Sequence, residues 1–137
     1  MIDFERVPKV ALEFMNRDHE EATRLTNQLE ALVRAEPVDS QAVAQALNAL
    51  LDHCQAHFGR EEAQMQAVGF PPYPVHKGEH ERVLAEMHGE LVAWLEADDL
   101  ARLKHYLLAT LPRWFVDHIA TMDTVTASFI QRMAGPK

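Results

Sequence analysis

Four blocks of this chain repeat apolar residues at three- and four-residue steps, the period of an α-helix with one buried face. The repeating positions are, block by block, Leu12, Met15, His19, Ala22, Leu25, Leu29 and Leu32; Val43, Leu47, Leu50, Cys54, His57, Glu61, Met65 (or Gln64) and Val68; His76, His80, Leu84, Met87, Leu91 and Trp94; Leu100, Leu103, Leu107, Leu111, Trp114, His118, Met122, Val125 and Phe129. No segment alternates with the period of two that a strand requires. The pattern predicts an all-α protein.

Turn and capping residues separate the blocks. Pro37 closes the first predicted helix, and Asp39 or Ser40 can cap the second, which we expect to end at Gly69. A proline-rich turn precedes a third helix that starts near Val75. Connections this short favour antiparallel neighbours, so we expect an up-down-up-down antiparallel four-helix bundle.

The fourth block keeps its phase across Pro112. Because proline removes a ladder hydrogen bond and crowds the preceding turn, we expect one helix that is kinked between Leu108 and Pro112. A break into two helices is the alternative.

Composition excludes several classes of protein. At 137 residues, the length suits a single domain spanning residues 1–137. The formal charge of -8 disfavours nucleic acid and anionic membranes as partners. One cysteine allows neither an internal disulfide nor a cysteine metal cluster. With no membrane-spanning run or signal-peptide pattern, we expect a cytoplasmic protein, either a monomer or a homo-oligomer.

Histidine and carboxylate interrupt every apolar face. The first block carries His19 alone, and the others carry His57-x-x-x-Glu61, His76-x-x-x-His80 and His118-x-x-x-x-Asp123. A single histidine on such a face is usually a hydrogen-bonded core residue. However, counting about 1.5 Å per residue from the predicted turns places all seven side chains at one level. Burying seven unpartnered polar groups would exceed the stability of a typical domain, so the pattern predicts a metal centre.

The set of ligands narrows the choice of metal. Imidazole and carboxylate without thiolate suit iron, copper, nickel or zinc. Seven ligands exceed a tetrahedral zinc site but fit two metal ions bridged by two carboxylates. The Glu-x-x-His pairs of ferritin-like di-iron bundles do not occur in this sequence.

These motifs together resemble the hemerythrin family, in which an isolated histidine is followed by H-x-x-x-E, H-x-x-x-H and H-x-x-x-x-D. The resemblance covers nearly the whole chain and implies two iron ions with an oxo or hydroxo bridge, which bind dioxygen reversibly. It implies that His76, His80 and His118 bind one iron and that His19 and His57 bind the other. Glu61 and Asp123 would bridge both ions, while Glu62 points about 100° away around its helix.

The resemblance also implies an apolar ligand pocket. Its walls would be Phe58, Trp114, Phe115 and Ile119, which could equally be ordinary core residues. The chain departs from the family at Ala22, where leucine is usual, and this suggests a wider pocket. The five-residue step from His118 to Asp123 rotates these two side chains apart on an ideal helix, so a π-like turn is expected there.

Other functions are also compatible with this set of ligands. A di-iron enzyme acting on nitric oxide or peroxide, or a protein of iron-cluster repair, would use similar ligands. A sensor of oxygen or redox state would need a separate partner, and a purely structural metal bundle would need no open coordination position. We expect an oxygen-binding protein rather than an enzyme.

Overall fold

Four long helices make up most of residues 1–134, the part of the chain that the computed structural model describes. Helices α1, α2 and α3 span Glu13–Arg34, Ser40–Val68 and Tyr73–Ala97. Helix α4, residues 100–134, comprises α-helical segments Leu100–His105, Leu111–His118 and Thr124–Ala134, joined by π-helical turns Tyr106–Thr110 and Ile119–Asp123. A short 3₁₀ turn, Phe4–Arg6, precedes α1. Residues 1–134 contain no strand, which confirms the all-α class.

The predicted capping residues set the helix ends. The Asp39 carboxylate accepts a hydrogen bond from the Ala42 backbone N–H at 3.1 Å and so caps α2. Gly69 ends that helix in the left-handed region, at φ 65°, where glycine has no Cβ to clash. Helix α3 begins at Tyr73, two residues before the expected Val75, because Pro74 fits a first helical turn in which no N–H partner is needed.

Pro112 lies inside a continuous helix. The residues that join the segments of α4 all have right-handed helical backbone angles. A π turn, Tyr106–Thr110, comes directly before the proline, and the Leu111 N–H reaches back to the Tyr106 carbonyl. The wider turn makes room for the proline ring, so the helix does not break into two.

The second π turn changes which residues of α4 face the interior. Asp123 at its end is buried, and beyond it the buried side chains include Thr126 and Ile130. The prediction that Val125 belongs to the buried face is wrong, since this side chain is 58% exposed. A π turn contains one more residue than an α turn, so the buried positions after it are displaced by one along the sequence.

Two apolar clusters lie on either side of the polar layer. The larger one contains apolar side chains of α1 from Leu25 onward and of α2 up to Phe58. It also contains those of α3 from Val83 onward and of α4 up to Trp114. The smaller one contains Met65, Phe70 and Ile130, with Leu12, Val68, Tyr73 and Phe129 packed against it. On every helix the interrupting histidines and carboxylates fall between these two clusters, so their positions are fixed by packing from both sides.

Each of the four helices contacts at least two of the others. Helix α2 contacts α1, α3 and the last segment of α4, while the first segment of α4 contacts α1 and α3. Among the described residues, none of the helices has the length and apolar character that crossing a membrane requires.

Candidate metal centre

All four helices contribute a buried polar side chain to one layer. Spacing of three to four residues places side chains on one helical face, so α2 and α3 each present two donors together. The residues, with exposures of 0 to 5%, are His19, His57, Glu61, His76, His80, His118 and Asp123. The structure therefore brings together all seven residues that the sequence singled out.

The donor atoms form two groups that share the carboxylates. One group combines Glu61 and Asp123 with His76, His80 and His118. The other combines the same carboxylates with His19 and His57, and in each group the atoms lie within 4.8 Å of one another. This division corresponds to the three-histidine and two-histidine sets that the family resemblance implies.

Glu61 divides its two oxygens between the groups. Its Oε2 lies 2.7 Å from the His57 Nε2 and 3.8 Å from the His19 Nε2. Its Oε1 lies 3.3 Å from the His80 Nε2 and 3.5 Å from the His76 Nε2. A carboxylate in this position can bridge two cations.

Asp123 divides its oxygens in the same way. Its Oδ2 lies 3.0 Å from the His19 Nε2. Its Oδ1 lies 3.1 Å from the His76 Nε2 and 3.2 Å from the His118 Nε2. The π turn Ile119–Asp123 permits this arrangement, because a wider turn of this kind brings residues five apart, such as His118 and Asp123, onto the same face of the helix.

Several of these atoms have no hydrogen-bond partner in the protein. Among residues 1–134, the buried atoms without one include both Glu61 oxygens, the Asp123 Oδ1 and the His80 Nε2. Leaving such groups buried and unpaired costs about 1–3 kcal/mol each, and more when they are charged. Imidazole and carboxylate donors suit first-row transition metals, so the residues present fit a metal centre.

Electrostatics keep the carboxylates ionised. Burial opposes charge on Asp123, but the nearby imidazoles of His118, His19 and His76 hold the pKa of Asp123 well below its usual value. For His57, burial lowers the pKa, and the Glu61 and Asp18 carboxylates outweigh that effect and raise the pKa to about 9. In the absence of metal, protonated histidine thus balances the buried negative charge.

Three of the five histidines form a hydrogen bond through Nδ1 to a specific partner. His57 donates to Asp18 at 2.9 Å, His80 donates to Glu62 at 2.9 Å, and the His76 Nδ1 is hydrogen-bonded to the Thr126 hydroxyl at 2.8 Å. These bonds fix the ring orientation and leave Nε2 free to bind metal. Glu62 therefore lies on the outer side of His80, away from the bridging position. Thr126 was not predictable from periodicity, because the π turn before it displaces the buried positions of α4 by one residue.

An enclosed cavity of about 20 Å³ borders the layer, which is enough for one small ligand. Of the predicted pocket residues, Ala22, Phe58, Trp114 and Phe115 line it. Ile119 is fully buried but does not border the cavity, and its role in ligand binding stays a prediction. The lining also includes Thr26, Leu50, Cys54, Met87 and Leu111, which sequence reasoning did not single out. Thr26 and Cys54 lie four residues from Ala22 and Phe58 on the same helices, so helical spacing alone would have predicted them.

Aromatic rings pack directly on the histidines. Phe58 stacks on His80 with ring centroids 3.9 Å apart, and Trp114 stacks on His118 at 4.6 Å. Phe115 meets His19 edge to face at 6.0 Å. The donors are therefore surrounded by apolar surface, which excludes water and strengthens electrostatic interactions within the layer.

The other three histidines and the single cysteine lie outside the donor set. His53 donates from its Nε2 to the Asp18 carbonyl at 2.9 Å, so it ties α2 to α1 near the site. His88 and His105 are exposed, as expected of surface positions. Burial raises the pKa of Cys54 to about 12, which leaves it a neutral thiol in the core.

Comparisons with known proteins agree with this geometry. The family profile described as "Hemerythrin HHE cation binding domain" matches residues 10–130. A bacteriohemerythrin from Aquifex aeolicus is 31% identical over 123 residues, which cover 89% of this chain and 92% of that protein. One from Ralstonia nicotianae is 36% identical over 85 residues, which cover 62% of this chain and 61% of that protein. No solved structure matches the chain. By the family profile and these relatives, the chain belongs to the hemerythrin family.

Proposed function

We propose that this chain holds two iron ions and binds dioxygen reversibly beside them. The observation that carries the proposal is the division of the Glu61 and Asp123 oxygens between a three-histidine and a two-histidine group. Two ferrous ions supply the two electrons that dioxygen takes up on binding and gives back on release. The relatives' name, bacteriohemerythrin, supports the same function.

The cavity supports a particular place for the ligand. Both histidines of the two-histidine group, His19 and His57, border it, whereas His118 is the only histidine of the three-histidine group that does. An ion held by His19 and His57 would have one histidine fewer than an ion held by His76, His80 and His118, and so it would keep a coordination position for the ligand. Because His19 and Ala22 of α1 border the cavity, this position would face α1 and the cavity.

The residues around the cavity exclude water. Its lining includes the aromatic side chains of Phe58, Trp114 and Phe115, and apolar side chains complete much of the rest: Leu50, Met87 and Leu111. A dry, apolar cavity favours an uncharged diatomic ligand over water and anions, which must shed their hydration to enter. Reversible binding depends on this exclusion. Ile119, which is fully buried next to His118 in the sequence, adds to the apolar surroundings in this proposal.

The architecture that we propose is a single domain in which four helices run up, down, up and down. The contacts of α2 with its neighbours in sequence and with α4 support this arrangement, as do the short connections between helices. Each neighbouring pair is then antiparallel, which brings the middle of every helix to one level.

The visible spectrum tests the function. Anaerobic, iron-reduced protein should be nearly colourless, gain a ligand-to-metal charge-transfer band in air, and lose it again under vacuum. Repeated cycles should recover most of the band, because the cavity excludes the water and anions that would displace the bound ligand and leave the iron oxidised by dioxygen. A band that never reverses, or steady consumption of nitric oxide or peroxide without reversible oxygen uptake, would favour the enzymatic alternative.

The stoichiometry of iron is a separate prediction. Iron-reconstituted protein should contain two iron ions per chain by elemental analysis, because seven donors in two overlapping groups exceed the needs of one ion. Protein reconstituted with zinc alone serves as the comparison for non-specific uptake. One equivalent of iron, or a preference for zinc over iron, would contradict the di-iron proposal.

A further inference from the structure

The ligand cavity and a surface groove share part of a wall. The groove, of about 580 Å³, runs between α3 and α4 and is lined by side chains that include Glu79, Arg82 and Arg113. Trp114 and His118 border both the groove and the cavity. Since His118 is one of the proposed iron ligands, its ring is held in place when the metal is bound. The movable part of this shared wall is the indole of Trp114.

The position of the indole depends on one polar contact and two ring contacts. Its Nε1–H donates to the Glu79 Oε1 at 2.7 Å, across from α4 to α3. One face stacks on His118 at an interplanar angle of 17°, and Phe58 meets the ring edge to face at 6.2 Å. Ring contacts of this kind tolerate sliding, whereas the hydrogen bond is directional. Glu79 thus determines whether the indole stays flat against His118.

Glu79 is itself held rigidly. Arg82, one turn further along α3, donates to both Glu79 oxygens at 2.7 and 3.0 Å, and also to Glu86 at 3.2 Å. A carboxylate fixed by a guanidinium is a stronger and better-oriented acceptor than a free one. The half-buried indole has the groove on its outer side, which provides space for it to swing away from the cavity.

We propose that Trp114 is the gate through which small ligands pass between the surface groove and the cavity, and that Glu79 is the latch that holds it closed. The inference rests on the proposed function, because a gate matters only if the cavity receives a ligand. Glu79 touches neither the donor atoms nor the cavity, so it is a positioning residue that acts through Trp114. A latch slows entry and exit alike and leaves affinity unchanged, whereas a residue that contacts the ligand changes affinity.

The kinetic test measures dioxygen association and dissociation rates by stopped flow on iron-loaded protein. Glu79→Ala should raise both rates about tenfold and keep the Kd within about twofold, as expected for loss of one charge-assisted hydrogen bond from the closed state. Glu79→Gln keeps an acceptor oxygen but removes the charge, so its rates should stay within about threefold of the parent. The matched control is Glu90→Ala, which removes another α3 to α4 contact, the ion pair with Arg102 at 3.0 Å, away from the groove. Unchanged rates in Glu79→Ala, or a change in only one rate, would overturn the proposal.

A second measurement needs neither metal nor ligand. Acrylamide quenching of tryptophan fluorescence in metal-free protein reports the opening of Trp114, because Trp94 is buried, 3% exposed, and contributes little. Quenching should rise about twofold or more in Glu79→Ala and stay unchanged in Glu90→Ala. Equal quenching in all variants would mean that Glu79 does not hold the indole. If iron-loaded protein binds no dioxygen at all, the proposed function fails, and the quenching result still decides whether the latch exists.

Discussion

Glu61→Ala should leave the protein with one iron ion per chain or none, in contrast to the two that are proposed for the parent chain. Glu61 is fully buried, and its oxygens lie 2.7 Å from His57 in one group and 3.3 Å from His80 in the other. Alanine removes a bridge to both ions and one of the two charges that offset them. Because metal binding contributes directly to folding, the thermal stabilisation that iron gives the parent should largely disappear as well.

Glu62→Ala is the matched control for this prediction. Glu62 is a neighbouring carboxylate on the same helix, and it contacts the centre through the Nδ1 of His80. Loss of such an outer partner typically weakens metal binding by about 10- to 100-fold, so two iron ions should still bind when iron is in excess. Iron content by elemental analysis and unfolding midpoints with and without iron check both variants. If Glu61→Ala retained full iron while Glu62→Ala did not, the assignment of the bridge would be wrong.

Ala22→Leu should slow autoxidation and weaken azide binding about tenfold while iron content stays the same. Ala22 is 4% exposed and lines the cavity beside His19, on the side where the open position is proposed. A leucine adds three carbon atoms next to a space of about 20 Å³, so it fills the cavity and crowds its walls. Overpacking of this kind usually costs about 1–3 kcal/mol of stability, which a folded, iron-loaded domain should tolerate.

Azide titration and autoxidation followed by absorbance compare the parent with Ala22→Leu. Ala127→Leu is the control, because Ala127 is fully buried on α4 but does not border the cavity. It should share the stability cost and leave both ligand measurements unchanged. Equal azide affinity in the parent and in Ala22→Leu would mean that the open position does not face α1.

The sequence was sufficient to predict the donor layer because its signals are local. Residues four apart on a helix must share a face. Turn residues such as Asp39 and Gly69 mark the helix ends, and the height of each side chain along the bundle follows from its distance in residues to such an end. The convergence of His19 with Asp123, which are 104 positions apart in the chain, follows from those local rules. The all-α class and the family were predictable for the same reason.

What could not be predicted depends on the exact phase of α4 and on side-chain shape. The buried positions of Thr126 and Ile130 follow from a π turn, and periodicity alone placed Val125 there instead. The hydrogen bond between Trp114 and Glu79 joins two helices, and no spacing rule relates its partners. Likewise Leu50 and Met87 have the sequence pattern of ordinary core residues, and only the packing shows that they border a cavity.

The π turn at Ile119–Asp123 also bears on how such a centre can arise in a chain. In a regular helix, the residue four positions after His118 would be its nearest neighbour along the helix, and that position is Met122. Asp123 instead takes part in the layer, with its Oδ1 3.2 Å from the His118 Nε2. A one-residue insertion into a regular helix would produce this offset and bring a carboxylate into the layer, and it would turn every later side chain by about 100°. Such an insertion would also change which face of the helical segment Thr124–Ala134 packs in the core.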